Sequence, residues 1–236
     1  MVLKAQPFLQ IPSFLLGESL IFSKRTLLIF RAVTLICHLV LLSICIYFMH
    51  FIETVKFFTF WGFYITIAYF CLSVLDMTFG VNRTFKRTAI ICFEIAFSFE
   101  FVITFLYWIF VFPLTKDDCV EGEIYLIVYL HGIVLATLYA DFFFNSIVFE
   151  KGDIFYVGVF GICYTIVACL WTLFIRPIYP NVNFEDASSI IFIILSYACV
   201  FAHFYFGWFV GKYFKTPKIT NLKFRLIRDI EKVKAK

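Results

Sequence analysis

Six long apolar runs separated by short polar breaks set the plan of this chain. They lie near Leu27–Met49, Phe57–Gly80, Thr88–Phe112, Ile124–Phe149, Ile154–Ile175 and Ser188–Phe214. Each is longer than the ~20 residues an α-helix needs to cross hydrocarbon. The breaks carry the charges, prolines and glycines that end helices. Examples are Asn82-Arg83 with Lys86-Arg87, Pro113 with Asp117-Asp118, and Pro177 with Pro180. A membrane barrel would need short strands alternating with period two. The runs here are continuous, so the pattern predicts an all-α polytopic integral membrane protein with six transmembrane helices.

Composition agrees. Of 236 residues, 63% are hydrophobic and 15% charged, and 35 are Phe. Soluble domains are typically ~45–50% apolar and ~25% charged. A soluble chain of this size could not hide so much apolar surface. An ordinary soluble enzyme, a disordered chain and a nucleic-acid-binding domain are thereby excluded, and six spans leave no room for a sizeable soluble domain.

Loop charges give the topology. With the N-terminal side called "in", the in-side segments hold Lys4, Lys24, Arg25, Arg31, Arg83, Lys86, Arg87, Lys151 and nine Lys/Arg between Lys212 and Lys236. The other side holds only Lys56, Lys116 and Arg176. Seventeen against three predicts an even number of spans with both termini on the same side. The net charge of +4 is therefore a topology signal carried mostly by the tail, not a nucleic-acid signal.

Three regions follow: an interfacial N-terminal segment at 1–26, a six-helix domain at 27–214 and a basic C-terminal tail at 215–236. The first segment carries Phe8, Ile11, Phe14 and Leu16 but is broken by Pro7, Pro12 and Gly17. It is too short to span and lacks the layout of a signal peptide, so it is expected to lie in the interface. The tail reads as a helix beside an anionic leaflet. Asn82-Arg83-Thr84 fits a glycosylation sequon but falls on the in side, and is read as a chance match. Of the eight cysteines, seven fall within spans and none forms a Cys-x-x-Cys pair. They read as packing residues, with neither a disulfide framework nor a metal site.

The ionisable residues inside the runs are the informative minority, because they are costly there and normally face protein or water. They are His38, Asp76, Glu94, Glu100, His131, Asp141 and His203, joined by Asn145. A helix rises ~1.5 Å per residue, which places Thr59 ~3 Å and His131 ~10 Å below the outer edge. His38 and Glu100 fall near mid-membrane, and the others ~22–28 Å deep. Two polar layers result. The outer contains Thr59 and His131, with His38 and Glu100 as supporting groups. The inner contains Asp76, Glu94, Asp141, Asn145 and His203. A Thr hydroxyl becomes a nucleophile when a neutral His within hydrogen-bond reach takes its proton. The rival use of the same carboxylates and imidazoles is a proton relay, disfavoured by the absence of repeats and paired helix breaks. Taken alone, each polar residue is as readily a hydrogen bond tying helices together.

Local sequences add a resemblance. Phe57-Phe58-Thr59-Phe60, followed by Leu72-Ser73-Val74-Leu75-Asp76, resembles the second-span motif of the androgen-induced-gene family. That family comprises six-span threonine hydrolases that cleave fatty acid esters of hydroxy fatty acids. His131 with Asp141 ten residues on resembles the family's His-bearing fourth span, and Arg176-Pro177-Ile178-Tyr179-Pro180 is similar to its Tyr-Pro loop. The order holds from about Phe57 to Phe214. The resemblance implies Thr59 as nucleophile and His131 as general base, with no cofactor or metal, in an endomembrane or plasma membrane. A related group, the rolling-stone type, shares such spans. The alternative is a non-catalytic accessory subunit of a larger membrane complex, for example in the mitochondrial inner membrane. Membrane lipids are expected partners in either case.

Overall fold

The computed structural model describes residues 19–80, 82–118, 123–179, 184 and 186–220. Six helices are long and apolar enough to cross a membrane. We number them α1 (Lys24–Met49), α2 (Phe58–Phe79), α3 (Arg83–Thr115), α4 (Glu123–Phe144), α5 (Lys151–Phe174) and α6 (Ala187–Thr220). Among the described residues there is no strand, only an isolated bridge between Ser19 and Asn145. The predicted all-α polytopic membrane fold is the one observed.

Local chemistry explains the helix ends. Ser23 caps α1 by accepting from the Thr26 amide, and Asn82 caps α3 by accepting from the Phe85 amide, each satisfying an orphan donor. Gly80 closes α2 with a left-handed φ of 68°, which a side chain would disfavour. Helix α3 lies at the centre. Its residues from Phe93 to Glu100 are all buried, whereas α5 and α6 bury few of theirs. A cluster of Phe93, Phe97, Phe142, Phe149 and Phe204 fills the core beside it. Part of the phenylalanine excess is thus an edge-to-face and stacked packing layer, which contributes beyond burial alone. Gly207 is required here, because a Cβ would come within 2.6 Å of the Phe149 ring.

Three expectations about boundaries change. Helix α4 stops at Phe144, not Phe149. Asn145 turns the chain out of the helix and 146–150 continue without helix, because its side chain bonds Asp141 and the Ile147 amide instead of serving a further helical turn. Helix α3 passes through Pro113, and α6 passes through Pro217 to Thr220. In both, a π-helical turn precedes the proline: Tyr107–Val111 in α3 and Gly211–Lys215 in α6. Each proline then sits in the first turn of a new helical segment, where its missing N–H costs little. The interfacial segment at 1–18, Cys119 and the tail beyond 220 lie outside the described residues.

The described contacts sort into two ends. At one, α1, α4 and α6 meet through Arg31, Asp141 and Lys215. At the other, the α1–α2 connection meets the α5–α6 connection, with the Phe58 amide bonded to Tyr179 and Arg176 near Glu53. The first end carries the in-side charges and the second the outer ones.

Candidate functional site

Thr59 is held at the first turn of α2 by an aromatic clamp. The Phe58 amide donates to the Tyr179 hydroxyl at 3.0 Å, and the Phe58 ring stacks on Tyr164 with centroids 4.4 Å apart. The Tyr164 hydroxyl donates to the Lys56 carbonyl, and the Trp61 indole donates to the Val55 carbonyl at 2.7 Å. Burial pushes the Tyr179 phenol pKa up, so this hydroxyl stays a neutral hydrogen-bonding group. Among the described residues the Thr59 hydroxyl itself has no partner.

His131 sits in a π-helical turn of α4, Tyr129–Ile133, with φ −107° and ψ 21°. This turn faces the π turn of α3. The Tyr107 ring lies parallel to the His131 imidazole, with centroids 3.5 Å apart, and the Trp108 indole donates to the His131 carbonyl at 2.6 Å. The ring is nearly buried and its Nδ1 has no hydrogen-bond partner. The two π turns thus hold the imidazole by stacking and by a freed backbone carbonyl, and one nitrogen is left available.

Thr59 and His131 line the same cavity, of about 530 Å³, between the outer parts of α2, α3, α5 and α6. That size is typical of small-molecule pockets. Its walls are apolar and aromatic, including Phe99, Ile103 and Phe192, with Tyr164, Thr165 and Ser196 as scattered polar groups. Phe184 lines it with a positive φ of 61°, a conformation costly for a bulky side chain. No hydrogen bond joins Thr59 to His131.

The supporting groups fall elsewhere. His38 is fully buried, bonded to the Tyr129 hydroxyl at 3.1 Å and the Thr137 hydroxyl at 3.4 Å, and is absent from the cavity wall. Glu100 is fully buried with both carboxyl oxygens unpartnered, and packs so closely on Gly62 that a Cβ there would lie 2.5 Å from Oε1. It makes no hydrogen bond to His131.

The inner layer is not one cluster but four. Asp141 accepts two bonds from Arg31, at 2.8 and 3.1 Å, and further bonds from Tyr69 and Asn145. Lys215 donates to the Asn145 side chain at 3.1 Å and to the Ile147 carbonyl at 2.9 Å. Arg31 and Lys215, counted from sequence as in-side loop charges, are instead buried, with 0% and 3% exposure. Asp76 pairs with Lys86 across the α2–α3 turn, and Glu94 accepts from the Glu150 amide beside the Arg87–Asp153 pair. His203 bonds the Tyr139 hydroxyl between the rings of Phe97 and Phe101.

Sequence reasoning missed Arg31, Tyr69 and Lys215 as interior groups, and Tyr107, Trp108, Tyr164 and Tyr179 as the frame of the site. Arg31 was within reach, being four residues into the first apolar run. Tyr179 stood in the Tyr-Pro loop of the resemblance, and the other tyrosines carried no signal separable from ordinary packing. Among the described residues no group of three or more His, Cys, Asp or Glu could hold a metal ion.

The chain matches no protein-family model, no curated protein and no solved structure.

Proposed function

We infer that this protein is a membrane-embedded hydrolase acting on lipid esters. The observation that carries the reading is the shared cavity: Thr59 and His131, ~70 residues apart in sequence, line one apolar chamber in the outer half of the helix bundle. An apolar ester entering from the bilayer would present its carbonyl to the Thr59 hydroxyl. His131 takes the hydroxyl proton as Oγ1 bonds to the carbonyl carbon, and returns it to the departing alcohol oxygen as the ester C–O bond breaks. Water, deprotonated by His131, then attacks the acyl-Thr59 ester and releases the acid. The positive N-terminal end of α2, where Thr59 sits, favours the transient oxyanion. The fatty acid esters of hydroxy fatty acids cleaved by the androgen-induced-gene family are the substrate class this reading adopts, in an endomembrane or plasma membrane.

The test is hydrolysis of a branched fatty acid ester by purified wild type, Thr59→Ala and His131→Ala. Turnover by the wild type and its loss in both variants is expected. Equal turnover in all three would end the proposal.

A specific observation favours a second reading. Thr59 and His131 share the cavity without a hydrogen bond, and Glu100 does not orient the imidazole. An accessory subunit of a larger membrane complex that retains the fold, in the mitochondrial inner membrane for instance, would need only the cavity and its bound lipid. Co-purification in a stable multi-subunit assembly, with no turnover by the wild type, would support it.

A further inference from the structure

The cavity has a floor, and its position bears on what fits inside. On α3, α5 and α6 the lining residues stop at a similar depth. On α5 the innermost is Gly161, on α6 Val200 beside Tyr197, and on α3 Phe99. Tyr197 makes the floor. Its ring lies so close to the α5 backbone that a Cβ on Gly161 would meet Cε1 at 2.7 Å and the hydroxyl at 2.9 Å. The same hydroxyl is hydrogen-bonded to Thr165 at 3.0 Å, one turn along α5. The phenol is thus laid across the gap between α5 and α6 and fastened at its far end. Beneath it the gap narrows, with the Phe201 ring in van der Waals reach of a Cβ on Gly158.

The rim lies at the outer end, where Ile178 of the α5–α6 connection and Asp186 and Ser188 at the start of α6 line the cavity. Ser188 to Val200 is twelve residues, or ~18 Å of helix. Thr59 stands near the rim, one residue into α2, and His131 ~12 Å into α4. The chamber is therefore a deep slot with Thr59 near its rim, His131 partway down and an apolar shaft running from rim to floor.

From this shape we propose that the cavity is a single-acyl-chain slot and that Tyr197 is its specificity-determining residue, setting the longest chain that binds. The inference deepens the hydrolase reading by naming what its acyl group must satisfy, but the slot would hold a chain whether or not Thr59 reacts. Binding should strengthen by about fourfold for each methylene that enters apolar surroundings, until the chain end meets the phenol.

The experiment measures displacement of a fluorescent fatty-acid analogue from the purified full-length protein by saturated fatty acids of increasing length. Wild type should show rising affinity and then a plateau or fall at one chain length. Tyr197→Ala should move that limit to longer chains. Ala168→Phe, which fills the shaft about two turns above the floor, should move it to shorter ones. Tyr197→Phe keeps the ring and should leave the limit in place. Thermal unfolding of each variant checks that it is folded, and Ala168→Phe and Tyr197→Ala fail independently, so one folded variant suffices. An unchanged limit in a folded Tyr197→Ala or Ala168→Phe variant, or no limit in the wild type, overturns the proposal. Thr59→Ala separates the two readings. If it binds with the wild-type limit while the wild type hydrolyses no ester, the slot stands and the hydrolase reading falls.

Discussion

The Arg31–Asp141 cluster and the Thr59–His131 cavity, at opposite ends of this bundle, treat polar groups in opposite ways. In the inner half, Arg31, Tyr69, Asp141, Asn145 and Lys215 bond to one another, joining α1, α2, α4 and α6. In the outer half, Thr59 and the Nδ1 of His131 are left without partners beside a cavity. A buried ion pair with its lone pairs satisfied holds helices together and does nothing else. A hydroxyl and an imidazole facing an apolar chamber are poor structural ties but are free to react. At these two sites satisfaction of hydrogen bonds, more than depth or charge, separates the structural cluster from the candidate chemical one, although Asp76 Oδ1, Glu94 Oε2 and His203 Nδ1 in the inner half also lack a hydrogen bond.

The sharpest way to break this contrast is to unpair the inner lock. Arg31→Met leaves Asp141 buried without its cation and should destabilise the detergent-solubilised protein by about 3–5 kcal/mol in chemical unfolding. Adding Asp141→Leu removes that stranded carboxylate but orphans the Tyr69 and Asn145 donors and leaves Lys215 a buried cation, so it should recover only part of the loss. A single variant as stable as the parent would show that the lock is not structural. The complementary change in the outer half is His131→Gln. It should lower ester hydrolysis by about 10²–10⁴-fold, as for a lost general base, while leaving the unfolding transition near that of the parent.

Next in size is Lys215→Met. It leaves the Asn145 side chain and the Ile147 carbonyl short of a donor inside the protein, and should cost about 1–3 kcal/mol. Tyr179→Phe removes one bond to the first turn of α2 and should cost only about 0.5–1.5 kcal/mol. If the clamp positions Thr59, this variant should reduce hydrolysis by more than its stability change accounts for. The smallest effect belongs to Glu53, where hydrogen bonding to Lys56 holds the carboxyl below its usual pKa. Because the folded-state value is the lower one, its contribution is present above the unfolded carboxylate pKa and fades as pH falls through the folded value. Glu53→Gln should abolish that slight acid dependence in a pH series of unfolding curves and change little at neutral pH.

Much of the fold was legible in the chain. The six runs are the six helices, because in hydrocarbon the only cheap way to satisfy a backbone is to make it helical. The boundaries that moved did so for reasons hydropathy does not encode. Asn145 left its helix to serve Asp141, and Pro113 and Pro217 were absorbed by preceding π turns. Charge counting recovered the topology even though it took Arg31 and Lys215 for loop charges. Both sit at the end expected of them and differ only in being buried. The candidate site was half legible. Thr59 and His131 stood out by residue type, and the cavity they share needed the packing of α5 and α6, whose lining residues read as ordinary lipid-facing helix. The roles foreseen for Glu100 and His38 relied on depth alone, and depth says nothing of azimuth: one packs on Gly62, the other faces Tyr129.

The π turn around His131 has a consequence for how this chain tolerates change. Such a turn is a helix carrying one residue more than its neighbours need. Deleting a single residue from Tyr129–Ile133 would return the segment to α-helical winding and leave the turns on either side in register, because the wide turn already absorbs the extra residue. The stack of His131 on Tyr107 would be lost, while the flanking faces of α4 kept their partners. The region should therefore tolerate the loss of one residue in its packing and lose only the placement of the histidine.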